Sequence, residues 1–212
     1  MSNFLANYIS NMTASHFSSV KLPLILASTS PFRKDVLNRL HIPFTTYSPN
    51  VDETPEVRES PNDLVTRLSK SKAYSAHSAH PNALIIGSDQ VAVIDNAILG
   101  KPGTHEKAVK QLTQASGRQV DFITGLCVYN SDTNQSQTDV VVFSVVFRTL
   151  TLLQIENYLS IDKPYNCCGS FKSEGFGIAL LDQMNGTDPT AIIGLPLIRL
   201  VRMLEAEGVL VI

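Results

Sequence analysis

The 212-residue chain is 43% hydrophobic and 17% charged, which suffices for one substantial core and matches an ordinary soluble domain. A formal charge of −2 and a pI near 6.2 exclude the clearly basic face that long nucleic acid normally requires, yet they allow a small anion held by a few placed cations. No apolar run reaches the length of a membrane span, and residues 1–19 lack both a basic start and a continuous apolar stretch, so neither insertion nor export is expected.

Cys127, Cys167 and Cys168 are odd in number and lack C-x-x-C spacing, which reads as reduced thiols in a cytoplasmic protein. Residues 1–20 are expected to form a poorly ordered extension, with Met12 as an alternative start, and residues 21–212 a single bilobed domain. Asn11-Met12-Thr13 matches a glycosylation acceptor but means little without secretion.

In chain order, residues 22–27 form a short apolar run that ends in Ser28-Thr29-Ser30-Pro31. PFRKDVLNRL follows, with Val36, Leu37 and Leu40 at helical spacing, so the reading is strand, turn, helix. Ser30 suits the N-cap and Pro31 the first helical position, where its missing N–H costs nothing. Ser28, Ser30 and Arg33 at such a turn offer two hydroxyls, free helix N–H groups and a guanidinium, a combination that can hold a phosphate. On spacing alone, a capped helix with a solvated Arg33 is an equal reading.

The loop Asn50-Val51-Asp52-Glu53-Thr54-Pro55 carries two carboxylates that could serve a hard cation or simply face water in a turn. A second helix is expected from the cap Ser60 through Leu64, Leu68 and Lys72 to about His77. Lys72 extends the stripe of Val65, Leu68 and Ala76, which turns it into a cleft unless its stem only snorkels to water.

ALIIGSDQVAVI, residues 83–94, reads as a buried strand pair or one long strand, closed by the Asp95-Asn96 turn. Asp89 stands just beyond the apolar residues of that run, where a carboxylate is costly unless it binds a cation or takes a proton. Gly100-Lys101-Pro102 resembles the end of a P-loop but fails as one, because Asp95 stands at the first glycine position and Pro102 at the Ser/Thr position. Lys101 remains a candidate point charge for a phosphate.

Thr104 opens a third helix that closes at Gly117. VDFITGLCVYN and TDVVVFSVVFRTL are strands of a hairpin separated by the polar turn NSDTNQSQ. Thr151 and Gln154 form a capping box for a fourth helix through Leu159, and Pro196 starts an amphipathic helix that Gly208 ends. The order implies a mixed α/β fold with mostly antiparallel pairing in its second half. No G-x-S-x-G or H-E-x-x-H occurs, the five histidines share no metal spacing, and no base is indicated for Cys167 or Cys168.

LILASTSPFRKDVL, VDETP, IIGSDQV with GKP beyond it, and GSFKSEGFGI resemble, in that order, the motifs of the Maf family of nucleotide pyrophosphatases. The resemblance implies an elongated mixed β-sheet with flanking helices, like that of inosine triphosphatases, in two lobes around a central cleft. It also implies Asp89 as proton acceptor, Phe32, Gln90 and Glu174 as the positions tied to substrate choice, and Arg33, Glu53, Lys72 and Lys101 as polar site residues.

The wording is closest to the branch that acts on 7-methyl-GTP, which commonly has Trp where this chain has Phe32. The expected reaction is cleavage between the α and β phosphates of a nucleoside triphosphate. Glu53 and Asp89 would meet a divalent cation, magnesium or manganese, and Arg33, Lys72 and Lys101 the phosphates. A methylated, cationic guanine would favour the aromatic face of Phe32 and the carboxylate of Glu174. The same reaction on TTP or UTP, or a non-catalytic regulator of septum formation, are the alternatives. A homodimer is admitted as an assembly.

Overall fold

The computed structural model describes residues 22–212. The extension expected over residues 1–20 and the alternative start at Met12 therefore lie outside the described residues. β1 (Leu24–Ala27) leads through α1 (Pro31–Asn38) to β2 (Thr45–Tyr47), and α2 (Pro61–Ser75) leads to β3 (Leu84–Ile94). β1 pairs in parallel with both β2 and β3. The side chains of LILA alternate into two cores, Leu24 and Leu26 on one face and Ile25 and Ala27 on the other, which is why the strand is apolar throughout.

β3 turns at Asp95-Asn96, both at positive φ (47° and 64°), into the short β4 (Ala97–Leu99). The turn expected at this dipeptide is thus the loop of a two-residue hairpin. α3 (His105–Ala115), β5 (Gln119–Asn130), β6 (Gln135–Phe147), α4 (Leu152–Asp162), β7 (Leu181–Gly186) and α5 (Leu197–Ala206) complete the order. One seven-stranded sheet results, β2-β1-β3-β5-β6-β7 with β4 on β3, antiparallel from β3 onward. The mixed α/β class is as expected.

The structure refines the sequence reading in three places. β2 and β7 were not expected as strands: TTY and LDQMNG lie at the two ends of the strand order and are mostly exposed, so neither carries an apolar signal. Of the two readings left open for residues 83–94, the long strand holds, from Leu84, because β5 pairs along nearly all of it. The polar segment NSDTNQSQ is only in part a turn, since Asn130 already pairs with Gln135 and the ladder runs on from there.

The two largest apolar cores are built around α1 and α5, with Leu37, Ile86 and Leu200, and around α3 and α4, with Leu112, Phe122, Phe147 and Tyr158. Between them β3 is bare along one edge. Pairing with β1 stops at Ile86 and pairing with β4 reaches back only to Ala92, so residues 87–91 have no strand partner on that side, while β5 continues on the other. This gap in the sheet follows the carboxyl end of β1, where open α/β sheets bind ligands.

Candidate active site

α2 lies unusually close to the sheet beside the gap. A Cβ on Gly87 would come within 2.1 Å of the Ser69 carbonyl oxygen, and one on Gly125 within 2.2 Å of the Val65 carbonyl oxygen. Gly125 is the cross-strand partner of Asp89, and Gly87 precedes Asp89 by one strand period, so all three share a face. Val65, Ser69 and Lys72 recur at helical spacing on the facing side of α2. The two glycines thus let the helix descend until Lys72 Nζ donates to Asp89 Oδ1 at 2.6 Å.

Lys72 and Asp89 are 5% and 7% exposed, so the ammonium does not snorkel. An unpaired charge at either position would cost several kcal/mol, on the order of 3–5 on removing the partner. Glu53 joins them, with Oε1 2.7 Å from the same Nζ. Burial pulls the Glu53 carboxyl upward, but the hydrogen bond from Lys72 and the charges of Lys72, Lys101 and Arg33 outweigh it, and its pKa is lowered.

The Glu53 loop has no regular structure, and α2 holds it by a second ionic contact. Arg67 grips Glu59 with two bonds of 2.6 and 2.8 Å and donates a third, of 3.1 Å, to the Thr54 carbonyl. Hydrogen bonding to Arg67 lowers the Glu59 carboxyl to about 2, against its slight desolvation. Asp52, the other acid of the loop, accepts from the Thr54 backbone N–H at 2.9 Å, and hydrogen bonding to the Thr54 side chain and then its backbone lowers the Asp52 pKa; it makes a turn rather than a cation site.

On the opposite face of β3 stand Ser88 and Gln90. The Ser88 hydroxyl contacts the carbonyls of Gly125 and Gly194, both at 2.8 Å, and Arg33 Nε donates to Gly194 O at 2.8 Å. Gly194 sits at φ 102°, a conformation that glycine adopts without strain. The Gln90 side-chain amide nitrogen contacts Thr124 Oγ1 and the carbonyls of Ala191 and Ile192, which fastens the 191–194 turn beneath the cavity. Its amino group is thereby occupied, and its carbonyl oxygen is the end left for a ligand.

Ser30 caps α1, its hydroxyl oxygen accepting from Arg33 N at 3.4 Å, and Ser28 Oγ accepts from Ser30 N at 3.1 Å. Both hydroxyls keep their protons to donate, so the capping and phosphate-holding readings of this turn are compatible.

A cavity of about 750 Å³ opens over the gap in the sheet and is lined by every expected site residue: Ser28, Ser30, Phe32, Arg33, Glu53, Lys72, Asp89, Gln90, Lys101 and Glu174. The charged groups form a reaction half at Lys72, Asp89 and Glu53, and Phe32 with Glu174 forms a rim. Asp162, Lys163 and Lys172 also line the cavity, giving five cations against four carboxylates.

Lys172, Thr124 and Gly194 were missed from sequence. Lys172 stood inside the quoted GSFKSEGFGI, whereas the roles of Thr124 and Gly194 arise only from tertiary hydrogen bonds. Cys168 reaches the cavity with its Sγ 3.2 Å from Gln90 O, and burial raises its thiol pKa, as it does for Cys167, pushed up to about 11. Neither is an activated nucleophile.

The family described as Maf-like protein matches residues 23–207 of this chain. Three curated relatives bear the name 7-methyl-GTP pyrophosphatase. That of Methylobacillus flagellatus is 54% identical over 190 residues, covering 90% of this chain and 99% of the relative. The Aliivibrio fischeri protein is 55% identical over 87% of this chain and 96% of its own length, and the Pseudomonas putida protein 52% over 90% and 99%. Family match, relatives and cavity agree: the chain belongs to the Maf family.

Proposed function

We propose that this protein hydrolyses 7-methyl-GTP to 7-methyl-GMP and pyrophosphate in the cytoplasm. The observation that carries the reading is the Glu53–Lys72–Asp89 chain in a cavity that also presents Arg33 and Lys101. The names of the relatives support the substrate. The free cysteines, and the absence among the described residues of a helix able to cross a membrane, accord with the compartment. Residues 21–212 are read as one bilobed domain, its two main cores flanking the cleft.

A triphosphate brings more negative charge than the small cationic excess of the cavity can neutralise. Glu53 and Asp89 fit a magnesium or manganese ion. Both are hard oxygen donors that contact the same Lys72 ammonium, and their other oxygens, Oε2 and Oδ2, accept no hydrogen bond from the described residues. When bound, the ion would polarise the phosphate oxygens and lower the pKa of a bound water.

The chain supplies the rest. Asp89 accepts the proton of the water whose oxygen attacks the α phosphorus, and the bond from that phosphorus to the bridging oxygen breaks as pyrophosphate departs. Lys72 holds the Asp89 carboxylate in place, Arg33 and Lys101 draw charge from the phosphates, and the Ser28 and Ser30 hydroxyls donate to their oxygens. At the rim, Phe32 offers an aromatic face and Glu174 a carboxylate to the cationic base.

The test is pyrophosphate release from 7-methyl-GTP, GTP, TTP and UTP with magnesium or manganese. The expected products are monophosphate and pyrophosphate, with 7-methyl-GTP preferred over GTP in kcat/KM by about tenfold or more. Nucleoside diphosphate with orthophosphate would overturn the chemistry. A preference for TTP or UTP would overturn the substrate alone, and binding without turnover would return the regulator reading.

A further inference from the structure

Phe32 does not present a vacant ring. Lys172 Nζ lies over it, 5.6 Å from the ring centroid, within the range of a cation–π contact. Among the described residues Lys172 makes no ion pair; the neighbouring Glu174 instead accepts from the Ser173 hydroxyl at 2.8 Å.

The ammonium is delivered there by a firmly built loop. The Lys172 backbone N–H donates to the hydroxyl of Tyr158, a fully buried side chain of α4, at 3.0 Å, and a Cβ on Gly177 would come within 2.3 Å of the Lys172 carbonyl oxygen. The backbone is therefore fixed while the four-carbon stem can swing.

We propose that Lys172 is a specificity-determining residue that occupies the cation-accepting face of Phe32 in the free enzyme and is displaced from it by the cationic base. The inference rests on the substrate reading above and deepens it. Its ammonium is a stand-in for the ligand: that a cation settles on this ring shows what charge the face accepts. Two cations cannot share the face, so a positively charged base competes with Lys172. A triphosphate compensates by offering the displaced ammonium its own negative charge; a bare nucleoside cannot. Lys172 thus makes the site poor for 7-methylguanosine and selective for its phosphorylated forms.

The experiment is an NMR titration of 7-methylguanosine and guanosine into the full-length enzyme, its K172M variant, which keeps an unbranched stem of similar length, and its K172R variant, which keeps the cation. K172M is expected to bind 7-methylguanosine roughly threefold to tenfold more tightly than wild type, the range of a partly desolvated cation–π contact, with guanosine changed less. K172R should stay at the wild-type value. If K172M does not fold, K172Q tests the same loss of charge.

Unchanged or weaker binding of 7-methylguanosine by the uncharged variant, while wild type still prefers it to guanosine, overturns the inference and leaves the substrate reading standing. If neither wild type nor K172M prefers 7-methylguanosine to guanosine, both readings are overturned.

Discussion

The two halves of the cavity are built in opposite ways. In the reaction half, Lys72 and Asp89 are nearly inaccessible and come from a helix and a strand pressed together at Gly87 and Gly125. In the rim half, Phe32 stands on the first turn of α1, while Lys172 and Glu174 come from an irregular loop, with Glu174 exposed and Lys172 resting on an aromatic ring instead of a carboxylate. The contrast separates tasks. The groups proposed to move the proton and hold its acceptor in place are locked where a displacement of about 1 Å would cost a large factor in rate. Those proposed to recognise the base stand where they can exchange partners.

Breaking the reaction half should give the largest effect. Asp89→Asn removes the proton acceptor and one cation ligand, and kcat should fall roughly a hundredfold or more. Lys72 keeps Glu53 as a partner, so circular dichroism and thermal melting should show an intact fold. Normal turnover by this variant would leave Asp89 a merely structural carboxylate.

The rim should answer more gently. Glu174→Gln is expected to reduce the 7-methyl-GTP over GTP preference by roughly threefold, because an exposed carboxylate is partly screened. kcat on GTP should barely move. A proportional loss on both nucleotides would assign Glu174 to the phosphates and erase the distinction between the halves.

The smallest effect concerns the loop that carries Glu53. The Glu59 carboxyl is lowered from 4.5 to about 2, so its bond to Arg67 contributes full stability above about pH 4.5 and loses it as pH falls toward about 2. Urea denaturation of Glu59→Gln against wild type should show a difference that is constant near neutrality and closes on acidification. A gap that widened in acid would have the wrong sign for this pair.

The reaction half was legible in the sequence for physical reasons. A carboxylate directly after an apolar run, and a lysine continuing an apolar helical stripe, are each costly, and both proved to be buried partners. Ser30 and Pro31 announced α1 through local capping chemistry, which needs no tertiary context. β2 and β7 stayed hidden because exposed edge strands need no apolar alternation. Gln90 was identified by resemblance, yet nothing local to it could show that its amino group fastens the turn at 191–192, a hundred residues away in sequence. Lys172 was invisible for a related reason: its partner is a ring 140 residues upstream.

The close seating of α2 carries one more consequence. Gly87 and Gly125 do not line the cavity, and nothing in the chemistry names them. Yet a single methyl group at either would have to push the backbone of Ser69 or Val65 outward, and Lys72 rides on that same helix. Since Lys72 Nζ approaches Asp89 to 2.6 Å, a lift of even half that distance would break the hydrogen bond between them. Such a variant would still collapse around both main cores, which lie elsewhere, and would be recovered in the soluble fraction. In a survey of inactive variants these glycines would fall among the acid, base and phosphate-holding positions, because the space they leave empty sets the length of the bond between Lys72 and Asp89.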